Sequence, residues 1–121
     1  MMLVRAKDIL GQNGEALAAE FLENQGIRIV DRNWRCAEGE IDIVAIEGDT
    51  LVVAEVKTRS SLDYGHPFEA VGAAKLARLH RLASAWSRDH ELTLRRWRVD
   101  VVAVVADGIG DPVLEHLRGV G

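Results

Sequence analysis

Two runs of alternating residues constrain this chain before anything else does. Glu40 to Ile46 and Leu51 to Thr58 are each long enough for a strand, and Glu47-Gly48-Asp49-Thr50 between them is a turn tetrad centred on Gly48-Asp49. An antiparallel hairpin follows. Strand side chains alternate, so Glu40 and Asp42 share one face while Ile41, Ile43 and Ala45 share the other; likewise Glu55 and Lys57 lie opposite Val52, Ala54 and Val56. If the hairpin is symmetric about Gly48-Asp49, Asp42 faces Glu55 and Glu40 faces Lys57.

Opposed side chains in such a pair have Cβ atoms about 5 Å apart, where like charges repel. Asp42 against Glu55 therefore requires either that one is protonated or that a cation sits between them. Hard oxygen ligands at this spacing suit Mg²⁺ or Mn²⁺ better than zinc. The same residues also fit a charged outer sheet face, with Lys57 paired to Glu40 as an ordinary cross-strand salt bridge. Such a face would rather alternate carboxylates with lysines than oppose them.

The rest of the chain reads as helices and strands in the order αβββαβ(β). A first helix is expected from Asp8, a suitable N-cap, to Gln25, with Gly26 as its stop. Its apolar stripe is Leu10, Leu17, Phe21 and Leu22, and Glu15 falls at the stripe's edge between the small residues Gly11 and Ala19. A strand from Ile27 to Asn33 precedes the hairpin. A second helix is expected from Pro67 to Arg88 on a stripe of Val71, Leu76, Leu79, Leu82, Ala83 and Trp86. A strand from Leu94 to Ala106 follows, buried in its later half, and Val113 to Leu117 forms a short edge strand. This pattern predicts an α/β fold, a mixed sheet flanked by helices.

A chain of 121 residues suits one domain with its own core. No apolar run approaches the roughly 20 residues of a membrane span, and the opening Met1-Met2-Leu3-Val4-Arg5-Ala6-Lys7 has no signal-peptide core. With Cys36 as the lone cysteine, these features fit a reducing cytoplasm and no membrane partner. The net charge of −4 argues against bulk coating of nucleic acid, but seven Lys/Arg lie between Lys75 and Arg98 against Asp89 and Glu91. That basic stretch suits phosphate as well as it suits an ordinary solvated helix face. His66, His80, His90 and His116 have no metal spacing, and there is no Ser-His-Asp or Gly-rich phosphate motif. Trp34, Trp86 and Trp97 read as core residues, although Trp34 beside Arg32 and Arg35 also suits stacking on a base.

Asp42, a hairpin turn, then Glu55-Val56-Lys57 resembles the signature of the PD-(D/E)XK, restriction-endonuclease-like superfamily. A longer string is more specific: Gly11-Gln12-Asn13-Gly14-Glu15-Ala16-Leu17-Ala18-Ala19, Arg32-Asn33-Trp34-Arg35, Gly39-Glu40-Ile41-Asp42-Ile43, Glu55-Val56-Lys57-Thr58-Arg59, then Lys75 and Arg98-Val99-Asp100-Val101-Val102. Together these resemble the YraN family of small predicted endonucleases, related to archaeal Holliday-junction resolvases. The proline of the superfamily name is absent, since Ile41 precedes Asp42.

The resemblance implies a restriction-endonuclease-like αβββαβ core and a DNA endonuclease using Mg²⁺ or Mn²⁺. Asp42 and Glu55 would hold the metal, with the Val56 carbonyl as a further ligand. Lys57 would orient or deprotonate water or stabilise charge at phosphorus, and Glu15 would be an accessory acid. Glu40 is expected to hold Lys57. Lys75 lies in the inward stripe of its helix, where a charge is unexpected, and suits a phosphate, with Arg32, Arg35, Arg59 and Arg78 as further contacts. Asp100 reads as a buried salt-bridge partner or a strand-end polar residue, not as catalytic. A non-catalytic nucleic-acid-binding module on the same fold and a protein-interaction subunit are the competing functions. A homodimer would supply two sites for cutting two strands.

Overall fold

The computed structural model describes residues 6–63, 65–92 and 94–120, with side chains from Asn13 onward. The N-terminal residues 1–5 fall outside these described parts, as do the side-chain surroundings of Leu10, from the expected helix stripe, and of Gly11, the small neighbour expected beside Glu15. Helix α1 (Ala6–Asn24) takes Asp8 into its body rather than using it as a cap. It stops where Gly26 turns left-handed at φ 84°, letting Gly26 and Ile27 N–H donate back to the carbonyls of Glu23 and Leu22. Only a residue without a Cβ takes that turn at little cost.

Strands β1 (Arg28–Cys36), β2 (Gly39–Glu47) and β3 (Thr50–Arg59) form two successive hairpins. The second is the expected one: Glu47 pairs with Thr50 around a two-residue turn with Gly48 at φ 61°. The first is tighter than expected. β1 runs on to Cys36, which pairs with Gly39 across Ala37-Glu38, so Arg35 faces Glu40. The second helix is also shorter than its stripe suggested. Pro67–Ala70 is a single 3-10 turn, Val71 is extended, and α2 (Ala73–Asp89) starts from Gly72. A β-branched residue followed by glycine is a weak helical link, and the chain breaks there.

Strand β4 (Arg96–Val105) lies parallel to β3, and β5 (Val113–Leu117) closes the sheet antiparallel to β4, in the order β1-β2-β3-β4-β5. α1 packs Ala18, Ala19 and Leu22 against Ile43, Ala45, Val52, Ala54, Val102 and Val104. On the opposite face α2 packs Leu79, Leu82, Ala83 and Trp86 against Ile41, Val44, Leu51, Val53 and Val99. With helices on both faces, β4 is buried continuously from Val99 to Val104. The fold is a mixed five-stranded sheet flanked by two helices, consistent with a restriction-endonuclease-like core. Among the described residues, no helix is long and apolar enough to cross a membrane.

Of the tryptophans, Trp86 is core and donates to Asp31 at 2.9 Å, and Trp34 packs at the edge of the same cluster. Trp97 corrects the expectation: it is 52% exposed and donates to His80 at 3.0 Å. It sits at the start of β4, before the helices cover the strand.

Asp100 is wholly buried and fully engaged. Its carboxylate accepts Arg98 Nε at 2.9 Å, His116 Nε2 at 2.7 Å and the Gly119 N–H at 3.0 Å. Arg98 and Arg118 both donate to Glu47, and Arg118 also donates to Gln25 at the end of α1. Burial alone would raise the Asp100 carboxyl, but these donors together hold it below the usual range. The cluster ties the chain's last residues to β2, β4 and α1.

Candidate active site

The hairpin register is as the turn dictates, from Glu47↔Thr50 to Ile43↔Ala54, and ends one step short of Asp42 and Glu55. At that step Asp42 leaves the ladder. Its Oδ2 accepts the Val56 N–H at 2.8 Å, a side-chain oxygen in place of a backbone one. Here β2 also changes face. Ile43 packs on the α1 side of the sheet while Ile41 packs on the α2 side, so the expected grouping of Ile41 with Ile43 and Ala45 does not hold. Opposite Asp42, between the partners Arg32↔Ile43 and Trp34↔Ile41, Asn33 has a left-handed φ of 54°. A twist in both strands turns Asp42 toward β3 rather than along a regular sheet face.

Glu55 lies on the α2 side, only 6% exposed. Its Oε1 meets two ammonium groups, Lys57 Nζ at 3.2 Å and Lys75 Nζ at 2.5 Å. Lys75 points inward as its stripe position predicted, and the break at Gly72 places it in the first turn of α2. Glu40, expected on Lys57, instead meets Arg35 Nε at 3.6 Å. The reason is register: the β2–β3 ladder has ended before Glu40, whereas β1–β2 continues and sets Arg35 directly opposite it.

Glu15 approaches from α1. It pairs loosely with Arg32 at 3.6 Å, and its Oε1 is buried with no hydrogen-bond partner. The helix comes this close because Gly14 lies against β3, where a Cβ would run into the Thr58 side chain. Helical spacing drew attention to Gly11 and Ala19; Gly14 was the residue missed, and its signal was a glycine inside a helix, immediately before Glu15. Arg78 lines a pocket of about 280 Å³ with Glu40, Asp42, Glu55, Lys75 and Leu79. Arg32, Arg35 and Arg59 are exposed, and Arg59 folds back to donate to the Thr58 carbonyl at 2.9 Å.

These contacts set the electrostatics. Burial first, then the neighbouring Glu55, Glu15 and Glu40, push Asp42 up to about 7 despite the Val56 N–H. Lys57 is pushed down by burial and by Lys75, with Glu55 opposing. Lys75 is held up by Glu55 in spite of its own burial.

The donor set suits a hard divalent cation that keeps part of its hydration. Among the described residues, no three His, Cys, Asp or Glu side chains are grouped to grip a metal by themselves. Mg²⁺ commonly relies on one or two carboxylates, water and substrate phosphate. Asp42 and Glu55 provide two carboxylates; Asp42 has no ion-pair partner among the described residues and is raised by burial and its acidic neighbours, while the buried Glu15 oxygen has only the loose Arg32 pair and no hydrogen bond.

The model of a family described as "Uncharacterised protein family UPF0102" matches residues 14–104, a span holding every residue of this site. A UPF0102 protein of Paenarthrobacter aurescens is 74% identical over 120 residues, 99% of each chain. One from Arthrobacter sp. is 75% identical over 118 residues, 98% of this chain and 100% of that one. One from Frankia casuarinae is 47% identical over 116 residues, 96% and 98% of the two chains.

Proposed function

The chain belongs to the UPF0102 family, and on that premise we propose that it is a divalent-metal-dependent endonuclease acting on phosphodiester bonds in DNA, branched or single-stranded structures included. The observation that carries this reading is Asp42, without an ion-pair partner among the described residues and raised to about 7 by burial and by Glu55, Glu15 and Glu40, with the depressed Lys57 held on the neighbouring Glu55. Perturbed groups gathered in a pocket are the usual mark of chemistry rather than of scaffolding.

Asp42, Glu55 and the Val56 carbonyl would hold Mg²⁺ or Mn²⁺. When bound, the cation supplies Lewis-acid polarisation of the scissile phosphate. Lys57 Nζ orients the attacking water, and in its neutral amine form, which burial and Lys75 favour, it takes the water's proton and becomes the ammonium. Lys75 and Arg78 bind the phosphate in the pocket, while Arg32, Arg35 and Arg59 meet the flanking backbone. Glu40 positions Arg35 rather than Lys57. Two copies acting together would cut two strands.

One observation favours a non-catalytic nucleic-acid-binding module instead: two lysines already neutralise Glu55. Incubating the protein with junction, flap, single-stranded and duplex DNA in Mg²⁺ or Mn²⁺, beside Lys57→Ala, separates the two. Cleavage by the parent that drops at least about 100-fold in the variant is expected. Cleavage that persists undiminished identifies a contaminant and ends the catalytic reading, and binding without cleavage leaves the module.

A further inference from the structure

Glu55 carries more cation than one carboxylate needs. Lys57 and Lys75 both approach the same oxygen, Oε1, at 3.2 and 2.5 Å, while Asp42, which lines the same pocket, has no cationic partner within salt-bridge distance among the described residues. The two lysines differ in freedom. Lys57 is anchored on β3 and its side chain is 17% exposed; Lys75 sits at the pocket rim, 35% exposed, on a flexible stem. Counting formal charges, Asp42 and Glu55 match two lysines or one divalent cation, but not both at once. With a cation bound, the Lys75 ammonium is surplus on Glu55 and stands beside the pocket a phosphodiester would enter.

Resting on the metal-site reading above, we infer that Lys75 is a displaceable stand-in for the cation: it holds Glu55 in the metal-free protein and passes to a phosphate oxygen when Asp42 and Glu55 bind a divalent ion. Cation and phosphate then recruit each other, because each frees the group the other needs. The metal-free site stays neutral enough to fold, and the loaded site gains a phosphate ligand.

Calorimetric titration with Mn²⁺ tests this, with and without inorganic phosphate, on the parent, Lys75→Met, Lys75→Arg and Arg78→Met. Arg78 lines the same pocket without an ion pair to Glu55, so its removal reports the plain effect of one positive charge. Lys75→Met is expected to tighten Mn²⁺ about tenfold in the absence of phosphate, and Arg78→Met less than about twofold. Phosphate should tighten Mn²⁺ several-fold on the parent and much less on Lys75→Met. Lys75→Arg, which keeps the charge and the reach, should behave as the parent, and Lys75→Gln, which removes the charge with a polar side chain, takes the place of Lys75→Met if the methionine variant does not fold. Equal tightening by Lys75→Met and Arg78→Met, or none by Lys75→Met, overturns the exchange alone. Failure of the parent to bind Mn²⁺ removes the metal site and the exchange with it.

Discussion

Asp100 and Asp42 are both strand carboxylates in one sheet, and the protein treats them in opposite ways. Asp100 accepts two side-chain donors and a backbone N–H and is held below the ordinary carboxylate range. Asp42 accepts one backbone N–H, faces other carboxylates and is raised to about 7. A saturated carboxylate is structural: its bonds have been made within the chain. An unsaturated one has capacity left for something outside it. Burial pushes both carboxyls up; the difference lies in the number and sign of the neighbours, which overcome that push at Asp100 and add to it at Asp42.

The largest effect should come from breaking the saturated cluster. Asp100→Asn leaves Arg98 and His116 without their anion in a buried setting and should cost about 3–5 kcal/mol, read from urea unfolding at pH 7. A loss below about 1 kcal/mol would mean that the cluster is not what secures the C-terminal residues.

Asp42→Asn should move stability the other way. The amide oxygen can still accept the Val56 N–H, and no charge is buried. For the parent, a folded value near 7 against the ordinary 3.8 means that Asp42 costs nothing below about pH 4. The cost grows as pH rises between those values and is complete above about 7. The variant should therefore match the parent near pH 4 and exceed it by about 2–4 kcal/mol at pH 8. Thermal or urea unfolding across that range checks the sign, and an Asn variant less stable than the parent at pH 8 would erase the contrast with Asp100.

A smaller change tests how Glu15 is brought to the site. Gly14→Ala drives a methyl group into Thr58 and should cost about 1–3 kcal/mol while moving α1 away from β3. Thr58→Ala in the same chain should recover most of that loss in a double-mutant cycle. Strict additivity of the two changes would show that the helix is not seated through this contact.

Much of this was legible in residue order. The two-residue turn at Gly48-Asp49 and the alternation on either side specify the β2–β3 register, because a slip of one residue would turn the apolar side chains out of the core. The stop at Gly26, the inward direction of Lys75 and the buried half of β4 follow from equally local rules. Harder to read were the extension of β1 through Trp34-Arg35-Cys36, which lacks clean alternation, and the division of the second helix at Val71-Gly72. Trp97 looked like core because its strand partners are apolar, but exposure depends on where the helices end.

Sequence alone therefore determined the α/β architecture, the hairpin and the residues gathered at its open end, since periodicity and turn chemistry act over a few residues and survive in any context. Only the tertiary structure decided the pairings: Glu40 with Arg35, both lysines on Glu55, and Asp42 left facing acids. Those depend on the strands twisting apart at Asn33 and Asp42, and on two helices, distant in sequence, that bring Glu15 and Lys75 to opposite sides of the hairpin.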